Sequence, residues 1–218
     1  MLMTNPLADG VEHLRARLAG AVSAPGDLDW DAARAAWNLA VDQRPVLVAV
    51  PADADEVVAV VAFAREHGLR VTAQATGHNA SAIATLEDTV LLKTSALRDV
   101  EIDAERRRAR VGAGVLWAEV TGPASEHGLA PLAGSSPDVG VAGFTLGGGL
   151  SWLSRRHGLA CNSVIAIEAV TADGRVVRAD RETEPDLFWA LRGGGGSFAV
   201  VTAIELALHP RCGPSPAR

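Results

Sequence analysis

At 218 residues, with 48% apolar and 21% charged positions, the chain has the make-up of an ordinary globular protein, long enough for one large domain or two small ones. Its net charge of −6 argues against a nucleic-acid groove, and no run approaches the roughly 18 apolar residues of a membrane-spanning helix. Asp9, Glu12, Arg15 and Arg17 interrupt what would be a signal peptide's apolar stretch, and Cys161 and Cys212 are too isolated for a disulfide framework or a metal cage, so a cytoplasmic location is expected.

Helical periodicity comes first, over 6–20 and 29–40, with Leu7, Val11, Leu14 and Leu18 on one face, and residues 1–44 read as a helical lead-in. Val46–Val50 is a short apolar strand. Pro51 and Asp53 open a helix that closes at His67-Gly68, and Val71–Gln74 is the next strand. Strand signals follow at 89–93, 98–103 and 107–111, with the basic run Arg106–Arg110 on a solvated hairpin. A helix over 115–127 ends at Gly128. Strands at 163–171 and 175–179 flank Ala172-Asp173-Gly174, a tight-turn signal. A helix over 184–192, a strand over 198–208 that stops at Pro210, and a disordered tail over 211–218 complete the chain. Helices and strands alternate without a regular βαβ beat, so the expected class is α+β.

Two glycine-dense stretches, Gly140–Gly149 and Gly193–Phe198, and the short segment Ala75-Thr76-Gly77-His78-Asn79 carry the chemistry. Loops without side chains let a phosphate approach the backbone. A P-loop is excluded, because no Gly-Lys pair occurs. Gly112-Ala-Gly114 follows a strand and precedes a helix, but Trp117 stands where a dinucleotide fingerprint needs its third glycine; a structural strand-to-helix turn is expected there.

From Pro45 to Pro210 the sequence resembles the FAD-binding (PCMH-type) domain of the vanillyl-alcohol-oxidase superfamily, most closely its berberine-bridge-enzyme-like branch. The likeness rests on motifs in order: Pro51–Val57, Thr76-Gly-His-Asn79, Val111-Gly-Ala-Gly114, Val139–Gly149 leading to Arg156-His-Gly158, Ala172-Asp-Gly-Arg175, and Asp186–Phe198. The fold it implies is a pair of α+β subdomains clasping FAD, with the diphosphate on the 75–79 and 140–149 loops.

By that resemblance the cofactor-binding residues are Ala75, Thr76, Gly77, His78, Asn79, Gly140, Val141, Gly143, Phe144, Thr145, Gly147, Gly148, Gly149, Ser197 and Val200. His78 matches the histidine that the family joins covalently to the flavin 8α carbon. Ser136 stands where bicovalent members carry a cysteine, so a second flavin bond is not expected. Thr145 offers a hydroxyl, Ser197 sits where relatives often have asparagine, and Val200 offers its backbone on the adenine or ribose side. Trp152 and Trp189 are expected to pack rather than stack on flavin, Cys161 to be a small buried residue, and His157 to be a charge at a helix C-terminus.

The chemistry implied is flavin-dependent oxidation: hydride transfer from substrate to flavin N5 and reoxidation by O2. Family enzymes continue into a second domain that forms the substrate pocket, whereas this sequence stops soon after Pro210 and has no tyrosine. The cofactor half alone is therefore expected. It acts either as the FAD-carrying part of an oxidase completed by a separate substrate-domain chain or by self-association, or as a flavin-binding module without its own turnover. A noncovalent FAD reductase of the same fold is a third option. No general base and no metal ligand is assigned.

Overall fold

The computed structural model describes residues 6–83 and 86–211; of the tail expected over 211–218, all but Arg211 lies outside the described residues. Helix α1 (Pro6–Arg17), edge strand β1 (Val22–Ser23) and the short helix α2 (Trp30–Arg34) lead to β2 (Leu47–Ala49), α3 (Ala54–Glu66), β3 (Arg70–Gln74) and β4 (Thr89–Lys93). These strands form one sheet in the order β1-β2-β4-β3, parallel except for β1. The lead-in is thus built into the first sheet: β1 pairs with β2, and α1 packs on α3.

Helix α3 forms where its residues demand it. Asp53 caps it by accepting from the Glu56 amide at 2.9 Å, and the Glu56 carboxylate reaches back to the Ala52 amide at 2.8 Å. Gly68, at φ +66°, ends it in a conformation that suits glycine. Val57, Val60, Val61, Phe63 and Ala64 are buried, and the helix packs against β3, β4 and β8 (Val164–Val170), which joins the two halves of the molecule.

The second sheet is antiparallel in the order β5-β6-β10-β8-β9, from β5 (Val100–Asp103), β6 (Arg108–Gly112), β8, β9 (Val176–Ala179) and β10 (Val200–Ala207). Between β6 and β8 lie α4 (Trp117–Glu126), β7 (Leu129–Ala130), α5 (Val141–Leu146) and α6 (Ser154–His157). Helix α7 (Pro185–Gly194) precedes β10, and β11 (His209–Pro210) pairs with β7. One apolar cluster runs through both halves, from Leu14 and Val60 to Trp117, Ile167 and Ile204. Among the described residues no helix is long and apolar enough to cross a membrane.

Gly112 and Gly114 are required by the β6–α4 turn itself. A Cβ on Gly112 would lie 2.3 Å from the Leu97 carbonyl oxygen, and one on Gly114 would lie 2.1 Å from that of Thr94. Trp117 sits in the core, edge-on to Phe144 at 5.5 Å. The turn is structural, as its missing third glycine implies.

Two expectations need correction. The helix expected over 29–40 ends at Arg34, because Ala35 turns extended (φ −61°, ψ 136°) and the following segment is drawn onto the 75–79 loop. Trp152 and Trp189 do not pack: they are 84% and 75% exposed. On α7 the inward positions are Phe188 and Leu191, three apart, which leaves Trp189 pointing outward. Trp152 follows the Gly147–Gly149 bend onto an uncovered surface.

Candidate functional site

The parallel strands β3 and β4 end together, with Gln74 opposite Lys93, and the 75–79 loop springs from that edge. Gly77 takes φ +83°, a left-handed conformation that reverses the chain. Among the described residues the amides of Gly77, His78 and Asn79 donate to no protein acceptor. Consecutive unpaired amides on such a turn form a concave donor nest suited to an anion.

The second glycine stretch meets this loop at its start. A Cβ on Gly140 would lie 3.0 Å from the Ala75 methyl and 4.0 Å from Thr76 Cγ2. Ala75 and Thr76 thus pack toward Gly140, while Gln74 turns inward and is buried. Val141 and Phe144 lie on α5, Val141 fully buried and its amide bonded to the Val115 carbonyl at 2.9 Å. Gly143 faces open space, with nothing within 4 Å of the position its Cβ would take. Thr145 is 0% exposed, yet its Oγ1 has no hydrogen-bond partner. Leaving a buried hydroxyl unpaired costs about 1–3 kcal/mol, so this atom is one that a ligand oxygen or nitrogen would satisfy.

Gly147 closes α5, and Gly148 and Gly149, at φ +106° and +74°, carry the chain away. A Cβ on Gly149 would strike the Phe144 ring at 2.6 Å and Ala160 at 2.7 Å, so this glycine serves packing. Cys161 is a free thiol, buried beyond that bend. His157 ends α6 and stacks on His209, their rings 3.9 Å apart; burial, with His157 adding to it, lowers the His209 pKa.

His78 has surroundings that its motif does not announce. Trp37 stacks on its imidazole, with centroids 4.0 Å apart and planes 25° from parallel. The Trp37 indole donates to Asp138 Oδ2 at 3.1 Å, and Asp138 also accepts from the Ser136 hydroxyl. That hydroxyl above all, with the indole and the nearby imidazole, holds the Asp138 carboxyl below its ordinary range. His78 Nε2 lies 3.8 Å from Asp138 Oδ2, too far for a hydrogen bond, and is buried without a partner. Trp37 and Asp138 were missed from sequence; neither lies in a glycine motif, and only the fold brings them to His78.

Ser197 and Val200 lie elsewhere. Ser197 is exposed in the 3-10 turn Gly195–Ser197, and Val200 starts β10 opposite Val170. Both line a cavity of about 410 Å³ against Val61, Ala64 and Val71, a cavity that includes neither the 75–79 nor the 140–149 loop. The 3-10 turn does pack on α5, which links the two regions. Among the described residues no cluster of three His, Cys, Asp or Glu side chains is placed to hold a metal.

The residues present fit a phosphate-bearing cofactor: free amides at 77–79, open space over Gly143, and unpaired polar atoms on Thr145 and His78.

Comparisons with known proteins agree. A family described as an FAD binding domain matches residues 45–180. The chain is 35% identical over 192 residues to (R)-6-hydroxynicotine oxidase of Paenarthrobacter nicotinovorans, covering 88% of this chain and 42% of that protein. Its structure is similar to BBE-like 1 of Physcomitrella patens (TM-score 0.84, 27% identity, 91% of this chain and 44% of that one). It is also similar to glucooligosaccharide oxidase of Acremonium strictum (TM-score 0.83, 29% identity, 91% and 42%), whose FAD is described as 6-S-cysteinyl, 8α-N1-histidyl. The chain spans about two fifths of the length of these relatives.

Proposed function

The chain belongs to the FAD-binding domain family of FAD-linked oxidoreductases, and from that premise we propose that the 75–79 and 140–149 loops hold the diphosphate of FAD, with His78 as the point of covalent attachment. The observation that carries this reading is the row of unpaired amides at Gly77, His78 and Asn79, on a loop whose start packs against Gly140 at the head of a helix where Gly143 leaves space and the Thr145 hydroxyl is unsatisfied. Gly77, His78 and Asn79 donate to phosphate oxygens; Ala75, Thr76 and Gly140 set the spacing of the two loops. Val141 and Phe144 anchor α5, and Gly147, Gly148 and Gly149 carry the backbone out of the way. Val200 offers its backbone on the adenine or ribose side, and Ser197 lines the same cavity.

When bound, FAD supplies the hydride-accepting chemistry, and the protein supplies position and electrostatics. His78 contributes a nitrogen held by the Trp37 stack, with Asp138 Oδ2 3.8 Å from its Nε2. Support for a covalent bond comes from the histidyl FAD of the Acremonium relative. Ser136, donating to Asp138, offers no thiol for a second bond.

The reaction is oxidation of an organic substrate by hydride transfer, with O2 as the final acceptor. The substrate pocket is completed by protein outside the described residues. The exposed Leu150, Trp152 and Trp189 favour such a cover. Denaturing gels test the attachment: flavin fluorescence stays with the parent polypeptide and is absent from His78→Ala, which still binds FAD reversibly. Flavin retained by denatured His78→Ala contradicts the assignment.

A further inference from the structure

Lys93, at the end of β4, is the one buried charged residue among the described residues and has no place in the cradle just described. Its ammonium donates to the Ala35 carbonyl at 2.7 Å and to Gln74 Oε1 at 2.5 Å. Gln74 Nε2 in turn donates to Gln43 Oε1 at 3.0 Å. Among the described residues no carboxylate pairs with Lys93, and burial lowers its pKa to about 8. A buried cation without a counter-ion costs stability. Packing alone gives no reason for a lysine here, since an apolar side chain of that length fills the same space without the charge.

The two groups that Lys93 joins explain its presence. Gln74 is the root of the 75–79 loop. Ala35 begins a strap that runs across the loop, where a Cβ on Gly77 would lie 2.8 Å from the Ala35-adjacent Ala36 Cβ and 3.1 Å from Gln74 Cδ. Further along the strap the Trp37 amide donates to the Thr76 carbonyl at 2.9 Å, and the Trp37 ring covers His78. The strap is therefore fastened to the loop at one point by the lysine and at another by Trp37, whose indole Asp138 holds.

We infer that Lys93 is a positioning residue for His78: by tying Ala35 to Gln74 it fixes the strap so that Trp37 sets the imidazole plane. This rests on the cofactor reading for its purpose, but the geometry it predicts exists without FAD.

The test therefore has two arms. In flavin-free chain labelled at histidine, His78 shows a ring-current-shifted signal from the Trp37 stack. Lys93→Met loses that shift while far-UV circular dichroism remains that of the parent, and Lys93→Arg, which keeps the donors, retains it. In chain supplied with FAD, Lys93→Met forms the denaturation-stable flavin adduct about tenfold more slowly, since misplacing a reacting atom by about 1 Å can cost up to about 10²-fold. Adding Lys93→Met to Trp37→Ala produces little further loss, as expected if the lysine acts through the indole.

An unchanged His78 signal in folded Lys93→Met, or additive losses in the double variant, overturns the inference. Should Lys93→Met fail to fold, Gln74→Leu, which removes the acceptor that Lys93 uses at the root of the loop, replaces it with the same two outcomes. If the parent forms no adduct at all, the covalent reading fails, and the histidine signal alone decides the role of Lys93.

Discussion

Replacing Gly143 by alanine separates the needs of the fold from those of the ligand. Gly143 lies inside α5, exposed, and a Cβ there meets nothing within 4 Å. In a helix interior alanine is favoured over glycine by about 0.5–1 kcal/mol, and no contact opposes that gain. For a chain of this size each kcal/mol moves Tm by about 2–4 °C, so Gly143→Ala is expected to melt about 1–4 °C above the parent in the flavin-free state. If the open space is where FAD lies, the same methyl crowds the ligand. Overpacking of this kind costs about 1–3 kcal/mol, which is about a 5- to 150-fold loss of affinity. Differential scanning fluorimetry without FAD and titration calorimetry with it read the two halves. A variant that gains stability and binds FAD as tightly as the parent refutes placing the cofactor over α5.

Other outcomes follow from the same geometry. Thr145→Val keeps shape and removes a buried, unpaired hydroxyl, so flavin-free stability rises by about 1 kcal/mol or more while FAD affinity falls; calorimetry showing no loss in affinity removes Thr145 from the site. Arg110 donates to both oxygens of Glu168, at 2.8 and 2.6 Å, and this ion pair holds the Glu168 pKa down. A carboxylate with a depressed folded pKa stabilises above its unfolded value, here 4.5, and loses that contribution as pH falls through the folded value. Urea melts of Arg110→Met are expected to show a shallower acid-side decline than the parent, the difference being about 0.2–1 kcal/mol for a pair this exposed. Equal slopes contradict it.

What residue spacing encodes locally is what can be read from the chain alone. The cap at Asp53, the stop at Gly68 and the Asp173-Gly174 turn between β8 and β9 are short-range features, and each element lies where its residues place it. The glycines of the two loops were legible for the same reason. The strap was not. Residues 35–40 carry helical spacing, but Ala35 is held by Lys93 and Trp37 by Thr76, and these long-range bonds override local propensity. Trp37 and Asp138 therefore reach His78, and Lys93 reaches the strap, only through the tertiary fold. The exposed Trp152 and Trp189 show the converse: a large apolar side chain signals burial, but what buries it need not lie in the same 218 residues.

The absorbance spectrum of the purified chain, taken before and after addition of excess FAD and gel filtration, decides whether the two loops hold FAD. Flavin bands are expected to elute with the polypeptide and to weaken when Gly143 or Thr145 is altered. Protein that stays colourless after incubation with FAD contradicts this placement.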